Sequence, residues 1–186
     1  MIPTDGELVG LARAGDIDAL CELVERHRTV ALRVGYAIVG PEAEDVVQEA
    51  FVKAYRYLDR FRDGEPFRPW LLTIVANEAR NRRRSTSRRG ALQLRVATRD
   101  TVGGSPMTGA ASTEEIAVAN EERKWLVRAV AELPDRDREV VALRFFADLS
   151  EAETAAALAC PVGTVKSRLS RAIARLRVSL EQEVLS

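Results

Sequence analysis

Between Ser85 and Thr113 the chain loses all apolar periodicity, and this break constrains its folding more than any other feature. The stretch is rich in Ser, Thr, Gly, Ala and Arg, and Gly103-Gly104-Ser105-Pro106 stands near its middle. Too few apolar side chains are present to offset the entropy of ordering it, so it reads as a flexible linker. A chain of 186 residues interrupted in this way has room for two small domains. The expected division is 1–84, a linker over 85–112, and 113–186. Ala, Leu, Val, Arg and Glu dominate on both sides, aromatic residues make up only 5%, and no segment alternates apolar and polar residues convincingly. That bias favours helices over sheets. The expected class is all-α: two small helical domains joined by a flexible linker, the C-terminal one a helix-turn-helix.

Helix boundaries are legible in the capping residues. Thr4 with Glu7 is a capping-box pattern opening a short helix, and Asp16 is a suitable N-cap for a second that runs to about Val39. Gly40-Pro41 stops that helix and starts a third, with Pro41 in its first turn. The third reaches about Phe61, with Val47, Ala50, Phe51, Ala54 and Leu58 as its core stripe. Arg62 to Pro66 is a turn, and a fourth helix from about Phe67 to Arg84 is expected to bury Trp70, Leu71, Ile74 and Val75. Helical periodicity resumes near Glu114 and lasts to Leu133; Pro134-Asp135 opens a helix ending near Phe146. Ser150 with Glu153 is a second capping box, starting a short helix to about Ala159. Pro161-Val162-Gly163 reads as a tight turn, with Thr164 capping a last helix that continues past Arg177.

Charge is segregated along the chain, although its formal net value is zero. Arg80, Arg82, Arg83, Arg84, Arg88, Arg89, Arg95 and Arg99 follow one another without an acid, and so do Lys166, Arg168, Arg171, Arg175 and Arg177. The first 25 residues are acidic instead. Clustered arginines of this kind suit phosphate contact. Cys21 and Cys160 have no metal-ligand spacing and read as free thiols of a reducing cytoplasm. No apolar run approaches the roughly 20 residues that span a bilayer, and no signal pattern opens the chain, so a cytoplasmic protein without membrane insertion is expected. His27 is the only histidine, within Glu25-Arg26-His27-Arg28, where a surface helix position is expected. With no metal cluster, phosphate loop or nucleophile motif, neither catalysis nor a metal or cofactor is expected.

Leu149 to Arg177 has helix-turn-helix grammar: a short helix, a turn and a longer helix. On the longer helix Val165, Leu169, Ile173 and Leu176 recur every three or four positions and should face inward. Thr164, Lys166, Ser167, Arg168, Ser170, Arg171 and Arg175 are then left to face DNA. Arg grips a guanine edge with two bonds, and Ser and Thr reach bases or phosphates. An amphipathic helix with a solvated basic face explains the charges alone; the capping box and the Pro-Val-Gly-Thr turn favour DNA binding. In the N-terminal part, Asp45 and Glu49 share a helix face one turn apart, with Gln48, Phe51 and Tyr55 close by. Spacing alone is met as well by a solvated face as by a protein contact.

These motifs carry a specific resemblance. Leu133-Pro134, Arg138-Glu139-Val140, Leu149-Ser150, Glu153 and the run Cys160 to Ala172, with Gly163-Thr164-Val165-Lys166-Ser167-Arg168-Leu169 at its heart, look like region 4 of the extracytoplasmic-function sigma factors. Ala159 stands where that family usually has glycine, and Thr154-Ala155 replaces the commoner Ile-Ala pair. Asp45-Val46-Val47-Gln48-Glu49-Ala50-Phe51 resembles the family's region 2.2, and Phe67, Trp70-Leu71 and Ile74-Val75-Ala76-Asn77 resemble regions 2.3 and 2.4. The resemblance spans roughly 5–84 and 113–180, and leaves no length for a sigma region 1.1 or a large region 3.

What the resemblance implies is a sigma factor that takes core RNA polymerase to promoters and helps to melt them. Region 4 would read the −35 element and meet the β flap. Asp45, Gln48, Glu49 and Phe51 would dock on the β′ clamp helices. Phe67, Asn77, Arg80, Asn81 and Arg84 would hold the −10 element as it opens, with Asn81 where the family often has Asp, and Trp70 in the core. Opening requires a cationic track and a pocket for an extruded base. The implied partners are core RNA polymerase, promoter DNA both duplex and melted, and an anti-sigma factor. An ordinary helix-turn-helix regulator explains the C-terminal half equally well, but not the Asp45–Phe51 or Trp70–Asn77 motifs.

Overall fold

The computed structural model describes residues 2–93 and 125–184, with side chains over 2–86 and 125–182. Its helices are α1 (Asp5–Arg13), α2 (Ile17–Val39), α3 (Ala43–Arg56), α4 (Phe67–Gln93), α5 (125–132), α6 (Asp135–Val141), α7 (Glu151–Ala157) and α8 (Val162–Val184). No strand occurs among the described residues, and the class is all-α. From 94 to 112 the expected linker lies outside the described residues. Its first part differs from expectation, because α4 continues through Ser85 to Gln93. Arg88, Arg89, Ala91, Leu92 and Gln93 are strong helix formers, and no proline interrupts them.

Both capping boxes form. The Glu7 N–H donates to Thr4 Oγ1 at 3.3 Å while Glu7 Oε2 accepts from the Thr4 N–H at 2.7 Å; Ser150 and Glu153 repeat the pattern at 3.2 and 2.7 Å. The Ser150 bonds hold the Glu153 carboxyl below its ordinary pKa. This cap is complete above the ordinary carboxylate range and is lost as pH falls through the lowered value. Gly40, at φ 64°, ends α2, and Pro41 sits in a single 3-10 turn before α3.

α3 stops at Arg56, earlier than the expected Phe61, and Leu58–Arg60 forms a separate 3-10 turn. Arg13 of α1 caps this end. Its Nε donates to the Leu58 carbonyl at 3.0 Å, its Nη2 to the Phe61 carbonyl, and its Nη1 pairs with Asp63 at 2.5 Å. Carbonyls of the turn that follows α3 are thereby bound from another element.

In the N-terminal block Leu23, Val34, Val46, Leu71, Leu72 and Val75 are fully buried. Gly35 of α2 allows α3 this close, since a Cβ there would lie 3.2 Å from Val47 Cγ2. His27 is buried, contrary to the surface position expected of it. α1 folds over α2, Asp5 Oδ2 bonds His27 Nε2 at 2.8 Å, and the ring lies 5.3 Å from Phe67.

In the C-terminal block Val130, Val140, Leu143 and Val165 are fully buried. α8 differs from expectation in two respects. It begins at Val162, because the Pro161 carbonyl accepts from the Thr164 N–H at 2.9 Å, so Pro161-Val162-Gly163 leads into the first turn and Thr164 is inside the helix. Ala172 is the inward residue and Ile173 is 43% exposed.

The two departures from the family pattern have local consequences. Thr154 is fully buried and, among the described residues, its hydroxyl has no hydrogen-bond partner. Ala159 holds φ 48°, the left-handed region that costs alanine about 1–2 kcal/mol and glycine almost nothing. Thr154→Val should raise unfolding stability by about 1 kcal/mol by removing an unpaired hydroxyl. Ala159→Gly should raise it by about 0.5 kcal/mol once the added chain entropy of glycine is subtracted. Urea titration of each variant checks both.

Candidate nucleic-acid and protein interfaces

α7 and α8 meet through Ala155, Leu158, Val165 and Leu169, and this packing presents the outer face of α8. Lys166, Ser167 and Ser170 are exposed on it, and Thr164 and Arg168 are half-buried. Arg168 lies with Nη1 4.0 Å from Cys160 Sγ. Arg171 and Arg175 are exposed, but both reach back to the buried carboxylate of Asp137, at 3.4 and 2.5 Å. The seven residues share one helix, a cationic and hydroxyl-bearing surface of the size that enters a major groove.

α3 turns Val46, Val47, Ala50 and Ala54 inward and leaves Asp45, Gln48, Glu49, Val52 and Tyr55 exposed. Phe51 is half-buried and packs on the core, so it supports this face more than it forms it. Glu49 pairs with Arg82 of α4 at 2.7 Å. The outer surface of α3 is thus acidic with an apolar-aromatic edge, which suits a protein partner.

The residues singled out on α4 are divided between two surroundings. Phe67 is only 5% exposed, in ring contact with His27, Phe61 and Trp70 at 5.3–5.7 Å. It therefore cannot stack on a base as it stands. The first turn of α4 carries the ring under the preceding loop, where it packs on Phe61 and Trp70. Asn81 and Arg84 are exposed. Asn77 and Arg80 instead face the C-terminal block. Arg80 makes a two-pronged bond to Glu139, with Nε–Oε1 and Nη2–Oε2 both at 2.8 Å, and Nη1 donates to Asn77 Oδ1 at 3.1 Å. The bond to Glu139 raises the Arg80 pKa above its already high ordinary value, so no accessible pH separates the pair by deprotonating the arginine.

The sequence placed α6, but not the roles of its acids. Asp135, Asp137 and Glu139 stand at alternate positions after Pro134. One turn apart, Asp135 and Glu139 face α4, where Asp135 takes Arg83 at 2.6 Å and Glu139 takes Arg80, while Asp137 faces α8. The alternation of acids was visible; their partners, far away in sequence, were not. Between the acids lies Arg138, 1% exposed, donating to the carbonyls of Val130 at 2.9 Å, Leu133 at 2.6 Å, Ala131, and Ile38 of α2 at 3.3 Å. Arg68 at the start of α4 donates to the Ala147 carbonyl. A groove beside these contacts runs between Arg62, Pro66 and Trp70 on one side and Glu153 and Ala156 of α7 on the other.

No helix among the described residues is long and apolar enough to cross a membrane. No group of His, Cys, Asp and Glu among them could hold a metal ion.

Two family models match the chain. Residues 23–89 match the family described as Sigma-70 region 2, and residues 123–176 that described as Sigma-70, region 4. The ECF RNA polymerase sigma-E factor of Escherichia coli (strain K12) is 36% identical over 176 residues, 91% of this chain and 90% of that protein. The RNA polymerase sigma-H factor of Pseudomonas aeruginosa is 35% identical over 173 residues, covering 90% and 89%. Among solved structures, CnrH in complex with the cytosolic domain of CnrY aligns with a TM-score of 0.69 at 27% identity, over 96% of this chain and 97% of that one. The sigma factor RpoE in complex with the anti-sigma factor NepR, from Bartonella quintana, aligns with a TM-score of 0.66 at 27% identity, over 86% and 97%.

Removing the Arg138 guanidinium leaves carbonyls at the end of α5 and on α2 without this donor. Arg138→Met should destabilise the chain by about 3 kcal/mol, whereas the same change at exposed Arg136 should cost at most about 0.5 kcal/mol, as read from urea midpoints.

Proposed function

The chain belongs to the extracytoplasmic-function sigma factors of the sigma-70 family, and from that premise we propose that it binds core RNA polymerase and directs it to specific promoters. The observation that carries the reading is the pairing, in one chain, of the exposed acidic and aromatic face of α3 with the basic face of α8. A regulator that only bound duplex DNA would need the second and not the first.

Three surfaces divide the work. α3 docks on the β′ clamp helices through Asp45, Gln48 and Glu49, with Val52 and Tyr55 at the edge of the contact. α8 enters the major groove of the −35 element: Arg168 and Arg171 read base edges, and Thr164, Lys166, Ser167, Ser170 and Arg175 fix register on phosphates and neighbouring bases. The C-terminal block also meets the β flap. α4 and the loop before it hold the −10 element as it melts. Asn81 and Arg84 are exposed to the strand, Asn77 and Arg80 reach it where Glu139 gives Arg80 up, and Phe67 and Trp70 brace the loop from beneath. The work is binding and strand capture with no catalysis by this chain, and it takes place in the cytoplasm with the polymerase. Regulation by an anti-sigma factor is part of the same reading, supported by the likeness to a sigma factor solved with such a partner.

Reversing charge at Asp45 and Glu49 together should weaken binding to core polymerase by about 2 kcal/mol or more. The fold should survive, because both side chains are exposed and the lost Arg82 pair is a surface one worth little. Undiminished affinity in a titration against core polymerase would refute the docking face. The two DNA surfaces should fail differently. Arg168→Ala should cost about 1–3 kcal/mol on upstream duplex in a gel shift and spare opening on promoters still engaged. Asn77→Ala should permit closed complexes but lower permanganate reactivity of unpaired thymines. Identical profiles for the two variants in both assays would contradict the division.

A further inference from the structure

Asp137 is the acid of α6 that turns toward α8, and both of its oxygens are engaged there. Oδ2 takes Arg175 Nη1 at 2.5 Å and Oδ1 takes Arg171 Nη2 at 3.4 Å. The two arginines stand one turn apart on α8, so a single carboxylate reaches both. The Asp137 side chain is 5% exposed, whereas theirs are 58% and 50% exposed. α6 packs against α8, and Val140, Val165 and Ala172 of the two helices are fully buried. The carboxylate is therefore a fixed point, gripping two guanidinium groups that otherwise stand in the open.

A guanidinium carries several N–H donors in a rigid fork, and the bonds to Asp137 use one nitrogen of each arginine. The others remain for an acceptor outside the chain. An arginine already held loses less side-chain freedom when it binds, and its fork meets a base edge in a set orientation. The carboxylate also cancels one of the two charges, which lowers the pull of this surface on phosphates of any sequence. Arg168 is placed independently, half-buried with Nη1 4.0 Å from Cys160 Sγ. We infer that Asp137 is a specificity-determining positioning residue of α8: it orients Arg171 toward base edges, shares its second oxygen with Arg175, and exchanges sequence-independent grip for discrimination. The inference rests on the reading of α8 as the helix that enters the major groove of the −35 element. Promoter choice then depends in part on a residue that precedes the helix-turn-helix and touches no DNA itself.

The test uses holoenzyme reconstituted with the full chain. Its probe is a promoter fragment active in run-off transcription with the upstream element randomised, and sequencing of the bound fraction gives the preference at each base pair. A duplex of mixed sequence gives the indiscriminate affinity and its salt dependence. Asp137→Asn keeps side-chain shape and removes the charge. It should reduce base preference about tenfold at the positions that Arg171→Ala also relaxes, and spare those that Arg168→Ala relaxes. Binding to mixed sequence should tighten about threefold with a steeper salt dependence, because both cations are then free for phosphates. Asp137→Ser, smaller and equally neutral, should give the same pattern, so the test does not depend on one substitution being tolerated. Glu132→Gln, which removes an exposed carboxylate of the same block, should leave every preference unchanged. Preferences unaltered in both Asp137 variants overturn the inference. So does a uniform loss of binding to every sequence, the result of damage to the packing of α6 on α8. Tighter binding to the preferred element with preferences intact overturns it as well, since the carboxylate would then only withhold the arginines. Arg168→Ala and Arg171→Ala in the otherwise unaltered chain test α8 separately. If neither relaxes any position, the reading of α8 has failed; if they do and the Asp137 variants do not, only the role of Asp137 is wrong.

Discussion

The buried guanidinium of Arg138 is the interaction on which the C-terminal half depends. A cation taken out of water is costly unless every donor finds an acceptor. Here the acceptors are the carbonyls of Val130, Ala131 and Leu133, which α5 leaves open at its end, and that of Ile38 on α2. One side chain therefore joins the end of α5 to the start of α6 and ties both to the N-terminal block. It also fixes the rotation of α6. With Arg138 pointing inward, Asp135 and Glu139 must turn toward α4 and Asp137 toward α8.

That rotation explains why a chain of zero net charge can serve as a nucleic-acid-binding protein. Its acid-free runs of basic residues lie on α4, the segment after it, and α8, while α3 and α6 each carry a group of acids. On α3 they face outward. On α6 they face the cations of the chain itself.

Much of this was legible in the sequence, for local reasons. Both capping boxes, the Gly40-Pro41 break and the Asp135 start depend on residues a few positions apart, which is the range over which helix ends are determined. The outward face of α3 followed from its apolar spacing, and so did most of α8. What escaped was set by contacts distant in sequence. His27 looked like a surface residue within a charged run, yet Asp5 and Phe67 close over it. Phe67 looked available to a base, yet three rings surround it. α3 looked continuous to Phe61, yet it stops at Arg56 and Arg13 of α1 binds the carbonyls of the turn that follows. The pairing of Arg80 with Glu139, across 59 positions, has no local signature at all.

The central claim is that this chain supplies promoter choice to a polymerase that lacks it. The most direct measurement is run-off transcription with purified core polymerase on a genomic promoter library, with and without the protein. The account predicts discrete transcripts that appear only when both are present, starting downstream of paired −35 and −10 sequences shared among the active templates. Transcripts unchanged by adding the protein, from core polymerase shown to accept another sigma factor, would contradict it.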